Sequence, residues 1–312
     1  MLRTFILIFI LALSIFSNAQ QIQNECTSTL TEAQKHWLQN FQQEFYSGNH
    51  EQSQTRGTRY IPFQAHIVGD DDGNGYYALD QLYTLMCELN ETFESVGFYF
   101  YLTDEINYID NTAYYDHNTA DGRDMMQENN LPDVMNVYFV ESPNGNCGYY
   151  SGARDAIAMA KSCSRPGYKT MGHEIGHYFS LPHTFSGWEG GDPPPVSQQE
   201  KVDGSNCNNA GDGFCDTPPD YAYYRWNCPF TGPFYDPDGV EFIPDGTFIM
   251  SYSDNDCRAN FGNDQSAAMN AFLLSQRADL LSGSAPAYVE LDRVETVTPE
   301  NEATDLPPNY VY

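Results

Sequence analysis

The sequence predicts an α/β (α+β) fold, and three features of the chain carry that prediction. Residues 60–160 alternate strand-like and helix-like runs, as in a sheet with helices packed on it. Residues 187–246 then turn dense in Gly, Pro, Asp and Asn and lose all periodicity, which is uncommon for a stretch of that length unless something staples it. A final helical run follows at Asn263 to Leu281.

Taken in order, the chain opens with the pattern of a secretory signal peptide over 1–19. Arg3 supplies a positive charge, Phe5 to Phe16 is an apolar run, and Ser17-Asn18-Ala19 offers small residues before Gln20. A membrane anchor is the alternative, but the run is short for a span. Export to an extracellular, oxidising compartment is therefore expected, where the eight cysteines can form disulfides. Residues 20–59 are polar, with an amphipathic patch at Trp37, Leu38, Phe41 and Phe45, and read as a pro-segment or N-terminal arm outside the core. Cleavage near Arg56 or Arg59 would release it, because basic sites in a polar arm are accessible to proteases.

Tyr60 to Gly69 alternates Ile61, Phe63, Ala65 and Ile67 as a strand does. Leu79, Leu82, Met86, Leu89 and Phe93 recur at helical spacing, which predicts a helix from Ala78 to Val96, ended near Gly97. Phe98 to Leu102, Val134 to Val140 and Ala156 to Ala160 are further strand candidates. Residues 283–312 form an acidic, Pro-containing tail.

With 43 acidic and 14 basic residues the net charge is −29, so nucleic acid and anionic membranes are poor partners, since both demand a basic face. Hydrophobic residues make up 41%, enough for a packed core, and length suits one large domain or two subdomains around a cleft.

His173-Glu174-Ile175-Gly176-His177 is an H-E-x-x-H motif. Residues i and i+4 share a helix face, so both imidazoles can reach one metal, and imidazole suits zinc. Glu174 would sit beside it and take the proton of an attacking zinc-bound water. His183 lies six residues on, after Pro182, which disfavours helix at Leu181 and lets the chain turn back toward the same metal. Three histidines leave a position open for chemistry, whereas structural zinc sites fill the fourth with a protein ligand.

The stretch from His173 to His183 resembles the zinc motif of the metzincin metalloproteases. With Thr184-Phe185, the segment Gly211 to Pro218 and the segment Phe248 to Cys257, it resembles the pappalysin family across Tyr60 to Leu281. The resemblance implies a catalytic domain over 60–282, with an upper subdomain (60–183) of a twisted five-stranded sheet and two long helices. A lower subdomain (184–282), irregular and disulfide-stapled, would end in the C-terminal helix. It implies zinc on His173, His177 and His183, Glu174 as general base, Met250 as the Met-turn floor, and Tyr252 as donor to the oxyanion. It also implies structural calcium at Asp212 and the carbonyl of Thr217. The family has Gly where Ser180 stands, which puts the turn toward the third histidine in question.

Cys228–Cys257 resembles a family bridge; Cys207–Cys215 would close a short loop and Cys147–Cys163 would brace the segment before the zinc helix. Cys26 and Cys87 either pair, or Cys26 caps the metal as a thiolate in the pro-segment. The expected function is a secreted zinc-dependent endopeptidase acting on protein or peptide substrates, as a monomer. The rivals are a catalytically silent binding protein on the same fold and a calcium-dependent surface module.

Overall fold

The computed structural model describes residues 28, 30–48, 57–103 and 105–283, and the backbone of 24–26. The predicted signal peptide, the acidic tail and Arg56 lie outside the described residues.

In chain order the first elements are β1 (Asn24–Cys26), α1 (Glu32–Tyr46), β2 (Arg59–Gly69), α2 (Leu79–Phe93), β3 (Phe98–Leu102) and β4 (Asn107–Asp110). Then come α3 (Thr112–Tyr115), β5 (Asp116–His117), α4 (Thr119–Asn129), β6 (Met135–Val140), β7 (Ser142–Pro143), β8 (Asn146–Ser151) and β9 (Ala156–Ala160). The metal-binding motif lies on α5 (Thr170–Tyr178); β10 (Phe234–Tyr235), β11 (Glu241–Phe242) and α6 (Asn263–Gln276) complete the chain.

The main sheet runs β1-β8-β9-β6-β2-β3, with β4 also on β2, seven strands where five were expected. The difference has two sources. β3 pairs with residues 59–63 of β2 and β4 with residues 66–69, so the two share one edge position as an interrupted strand. β1 is the second addition, contributed by the arm, and it lies parallel to β8. β8 is antiparallel to β9, whereas β9, β6, β2, β3 and β4 are mutually parallel.

Parallel strands need cover on both faces, and β2 is buried from Ile61 to Gly69 accordingly. On one face Ile61, Phe63, Ala65 and Ile67 meet Leu82, Leu89 and Phe93 of α2 together with Ile175 of α5. On the other, Val68, Tyr138 and Val140 meet Met125 and Met126 of α4. Gly97, at φ +82°, closes the chain behind α2 as expected. The helix expected over Asn263 to Leu281 stops at Gln276; Arg277 leaves helical geometry and a short 3₁₀ turn follows.

The arm does not lie outside the core. α1 starts with a capping box between Thr31 and Gln34, and Leu30, Leu38 and Phe41 join the main apolar cluster. Trp37 packs edge-on against Phe272 of α6 with centroids 4.8 Å apart. A 15-residue helix is marginal alone, and its apolar stripe demands a partner, which α6 supplies. Arg59 begins β2, paired with Phe98, so that bond is inside the sheet.

The lower half consists of turns, the β10–β11 hairpin, α6 and two disulfides, Cys207–Cys215 and Cys228–Cys257, while Cys147–Cys163 lies before α5. A Cys26–Cys87 bridge is not formed: Cys87 is free and exposed. It sits on α2 beside Phe98 and Tyr99 at the β3 edge, whereas Cys26 is in β1 at the opposite edge. Five strand spacings separate these edges, about 24 Å, far beyond the ~7 Å limit between bridged Cα atoms.

Candidate metal centre

α5 presents His173 and His177 one turn apart, and both are buried. The helix then ends in a Schellman turn. Ser180 N–H donates to His177 O at 3.0 Å, and Leu181 N–H donates to Gly176 O at 2.9 Å. Such a turn needs one left-handed residue, and Ser180 takes it, at φ +73°. The family's turn is thus kept without the family's glycine, at the steric cost a Cβ brings there. The turn swings His183 back over the helix, and Thr184 N–H donates to Met250 O at 3.2 Å, tying this segment to the loop beneath.

The three imidazoles converge. His177 Nε2 lies 3.2 Å from His173 Nε2 and 3.2 Å from His183 Nε2. Two nitrogens bound to one tetrahedral zinc stand about 3.3 Å apart, so the spacing fits that ion. Among the described residues, this is the one group of three His, Cys, Asp or Glu side chains with candidate ligand atoms within 4.8 Å of one another.

The tautomers follow from the partners. His173 Nδ1 faces Ile249 O at 2.9 Å and His177 Nδ1 faces Leu181 O at 2.8 Å. A carbonyl only accepts, so both Nδ1 atoms carry the proton and both Nε2 lone pairs are bare. Burial, and next the neighbouring imidazoles, push both groups well below the ordinary histidine range. Neutral imidazole is the form that binds metal. His183 Nδ1 meets not a carbonyl but the Glu189 carboxylate, at 3.3 Å.

Glu174 is fully buried. Its neighbour across the sheet edge is Gly148 of β8, where a Cβ would stand 3.2 Å from Glu174 Cγ and 2.7 Å from Met159 Sδ. Met250 is buried directly under α5, since a Cβ on Gly176 would come within 2.3 Å of its sulfur. Tyr252 places its ring 5.0 Å from that of His183 and 5.8 Å from that of His173.

Asp212 and Thr217 also meet: Thr217 Oγ1 donates to Asp212 Oδ1 at 2.8 Å, as does the Phe214 N–H at 3.0 Å. Burial pushes Asp212 up to about 7. Glu200, whose Oε2 is buried without a hydrogen-bond partner, is pushed up to about 9, first by burial and then by Asp212 and Asp220.

Three residues that the sequence did not single out touch the centre. Ser28 Oγ donates to Glu174 Oε2 at 2.8 Å and accepts from Tyr150 N–H of β8 at 2.6 Å. Gln34 of α1 donates to His177 O at 3.1 Å. Glu189 is the third. None has a local signal beyond a polar residue in a polar stretch, although Glu189 lies only six residues after His183 in a Gly-rich run. Together with α1, the centre borders a pocket of about 730 Å³ that also reaches Asn208 and Asp212.

The family model for pregnancy-associated plasma protein-A peptidases, Peptidase_M43, matches residues 150–274. That span holds the three histidines, the turn and Met250. Across that span the chain is similar to the pappalysin-type metzincins. An extracellular metalloprotease of Colletotrichum graminicola is 25% identical over 248 residues, covering 70% of this chain and 77% of its own length. Two solved structures share the fold. Mature mirolysin of Tannerella forsythia, in complex with a cleaved peptide, aligns with TM-score 0.53 at 16% identity, over 72% of this chain and 96% of its own. A promirolysin mutant from the same organism aligns with TM-score 0.57 at 18% identity, over 83% and 97%. The family match and these relatives support a zinc-dependent peptidase. No helix among the described residues is long and apolar enough to cross a membrane.

Proposed function

We propose that the protein is a secreted endopeptidase in which Glu174 acts as general base, held latent by its own N-terminal arm. The observation that carries the reading is the convergence of three bare Nε2 atoms at 3.2 Å, each ring fixed from behind through Nδ1. His173, His177 and His183 would hold zinc, which when bound polarises the scissile carbonyl and acidifies water.

The chain's own groups do the rest. Glu174 takes a proton from the attacking water and delivers it to the leaving amine. Tyr252 donates its phenol O–H to the oxyanion as charge develops there. Freed of β1, the outer edge of β8 offers main-chain groups to an extended peptide, as sheet edges do. Met250 backs α5 at Gly176 and keeps the ligands from settling lower.

Latency is supported by the contacts of the arm. Ser28 occupies Glu174, β1 occupies the edge of β8, and α1 walls the pocket. The promirolysin covers more of this chain than the mature enzyme does, 83% against 72%, an excess the size of such an arm. Export is supported by the signal-like N-terminus, the three disulfides and the extracellular metalloproteases among the relatives. Calcium at Asp212 and the carbonyl of Thr217 is part of the same reading, on the likeness of residues 211–218 to the family's segment. Its test is a calcium-dependent rise in melting temperature that Asp212→Asn abolishes.

The deciding experiment is cleavage of a mixed peptide pool before and after limited proteolysis of the arm, by the parent, by Glu174→Ala and by a chelated sample. Cutting that appears with arm removal and needs both zinc and Glu174 is the expected result. A zinc-loaded, trimmed protein that cuts nothing would replace the reading with the silent binding protein.

A further inference from the structure

Two of the three imidazoles are oriented by main-chain carbonyls, Ile249 O and Leu181 O, which no side-chain substitution removes. The third is oriented differently. Behind His183 Nδ1 stands the carboxylate of Glu189, at 3.3 Å, and its other oxygen accepts the Gly187 N–H at 2.8 Å. Both oxygens are therefore committed inside the loop. The ring of His183 is stacked on Phe185, 4.6 Å between centroids and 9° between planes, with Tyr252 against it at 5.0 Å. These aromatic neighbours set the plane of the imidazole. They do not decide which way it is flipped within that plane, and a flip would aim carbon instead of Nε2 at the other two histidines. A carboxylate on the Nδ1 side decides it, because an ionised carboxylate only accepts and so draws the N–H toward itself.

We propose that Glu189 is a positioning residue for the third metal ligand, a carboxylate that fixes the flip and tautomer of His183 and makes it a stronger donor to the metal. The proposal rests on the zinc-peptidase reading above. Its physical basis is general: a carboxylate behind a ligating imidazole fixes the ring and raises its basicity, and losing it weakens metal binding by about 10–100-fold. The chain makes this contact with a side chain that is 43% exposed and carried by a Gly-rich loop at the cleft. The strength of the centre is thereby coupled to the conformation of residues 187–191, on the pocket wall, while His173 and His177 are tied to the fold itself.

The test measures zinc affinity, not turnover. The full chain is stripped of metal and titrated with zinc against a chromogenic chelator, for the parent, Glu189→Ala, Glu189→Gln and His183→Ala. Unfolding of each zinc-free protein is recorded alongside. Glu189→Ala should lose about 10–100-fold in zinc affinity, with the zinc-free unfolding curve of the parent. Glu189→Gln, whose amide oxygen still accepts from Nδ1–H but which lacks the charge and the second acceptor for Gly187 N–H, should recover part of that loss. An Ala variant that binds zinc as tightly as the parent overturns the proposal. So does one whose zinc-free form is destabilised in proportion to the lost affinity, since that is a structural role. If His183→Ala also binds zinc like the parent, the failure lies with the metal centre and not with Glu189 alone.

Discussion

The two halves of the molecule are held together by different physics. The upper half is a sheet with apolar cover on both faces, and its strands and α2 supply most of the fully buried large side chains. The lower half has a two-stranded hairpin, many turns, two disulfides and several buried acids. The metal centre lies where they join: α5 belongs to the sheet's core, Met250 and Tyr252 to the irregular half. A rigid half can thus carry His173, His177 and Glu174 while loops shape the walls, an arrangement that leaves the walls free to vary without disturbing those three side chains.

If the halves differ in this way, they should break differently. The largest effect is expected in the sheet: Phe139→Ala removes a fully buried ring stacked on Tyr77 at 4.5 Å and should cost about 3–5 kcal/mol. Urea unfolding followed by both fluorescence and far-UV circular dichroism should shift as one transition. Replacing Cys228 and Cys257 together by Ser opens a loop of 29 residues, worth about 3–4 kcal/mol of chain entropy. Here hydrogen exchange should rise across 184–262 while β2, β6 and β9 keep their protection. Equal exposure of the sheet would erase the distinction between the halves.

The next effect is smaller and confined to the upper half. His66 is buried against Tyr138, between Asn136 and Asn107, and burial pulls it down to about 4. The unfolded chain binds the proton more readily than the folded one between about 4 and 6.5. Stability should therefore fall as pH drops through that window, by up to about 3 kcal/mol. His66→Gln should flatten the fall in melting temperature between pH 7 and 4; an unchanged slope would locate the acid sensitivity elsewhere. Smallest is Ser180→Gly, which relieves the left-handed residue at φ +73° but loses the Oγ contact to Gln34 O at 3.3 Å. A gain of under about 1 kcal/mol in thermal unfolding is expected.

What could be read from the sequence divides along the same line. His173, Glu174, His177 and His183 were legible because their geometry is set by covalent spacing on one helix and one turn. β2, β6 and β9 were legible because burial on both faces writes long apolar runs, α2 because its apolar residues recur at helical spacing, and β3 because Phe98 to Tyr101 are aromatic throughout. α4 was missed because it buries little beyond Met125 and Met126 in a polar stretch. β4 was missed because a short edge strand needs no such run, and β8 because Asn146, Gly148 and Ser151 interrupt its apolar pattern. The fate of the arm could not be read at all. The amphipathic patch at Trp37, Leu38 and Phe41 states that a partner exists but not that α6 is that partner. Ser28 on Glu174 is a meeting of residues 146 apart with no local signature, and Glu189, though near His183 in the chain, carries no sign that its carboxylate turns back onto Nδ1.

The three apolar side chains that the arm lends to the core also bear on lifetime. Cutting away Leu30, Leu38 and Phe41 uncovers greasy surface beside α6, and by area each such side chain is worth about 1.5–3 kcal/mol. The uncut chain is then the more durable form and the trimmed one more readily melted, digested or aggregated, so under the proposed latency the cut that starts the work would also wind a clock that ends it.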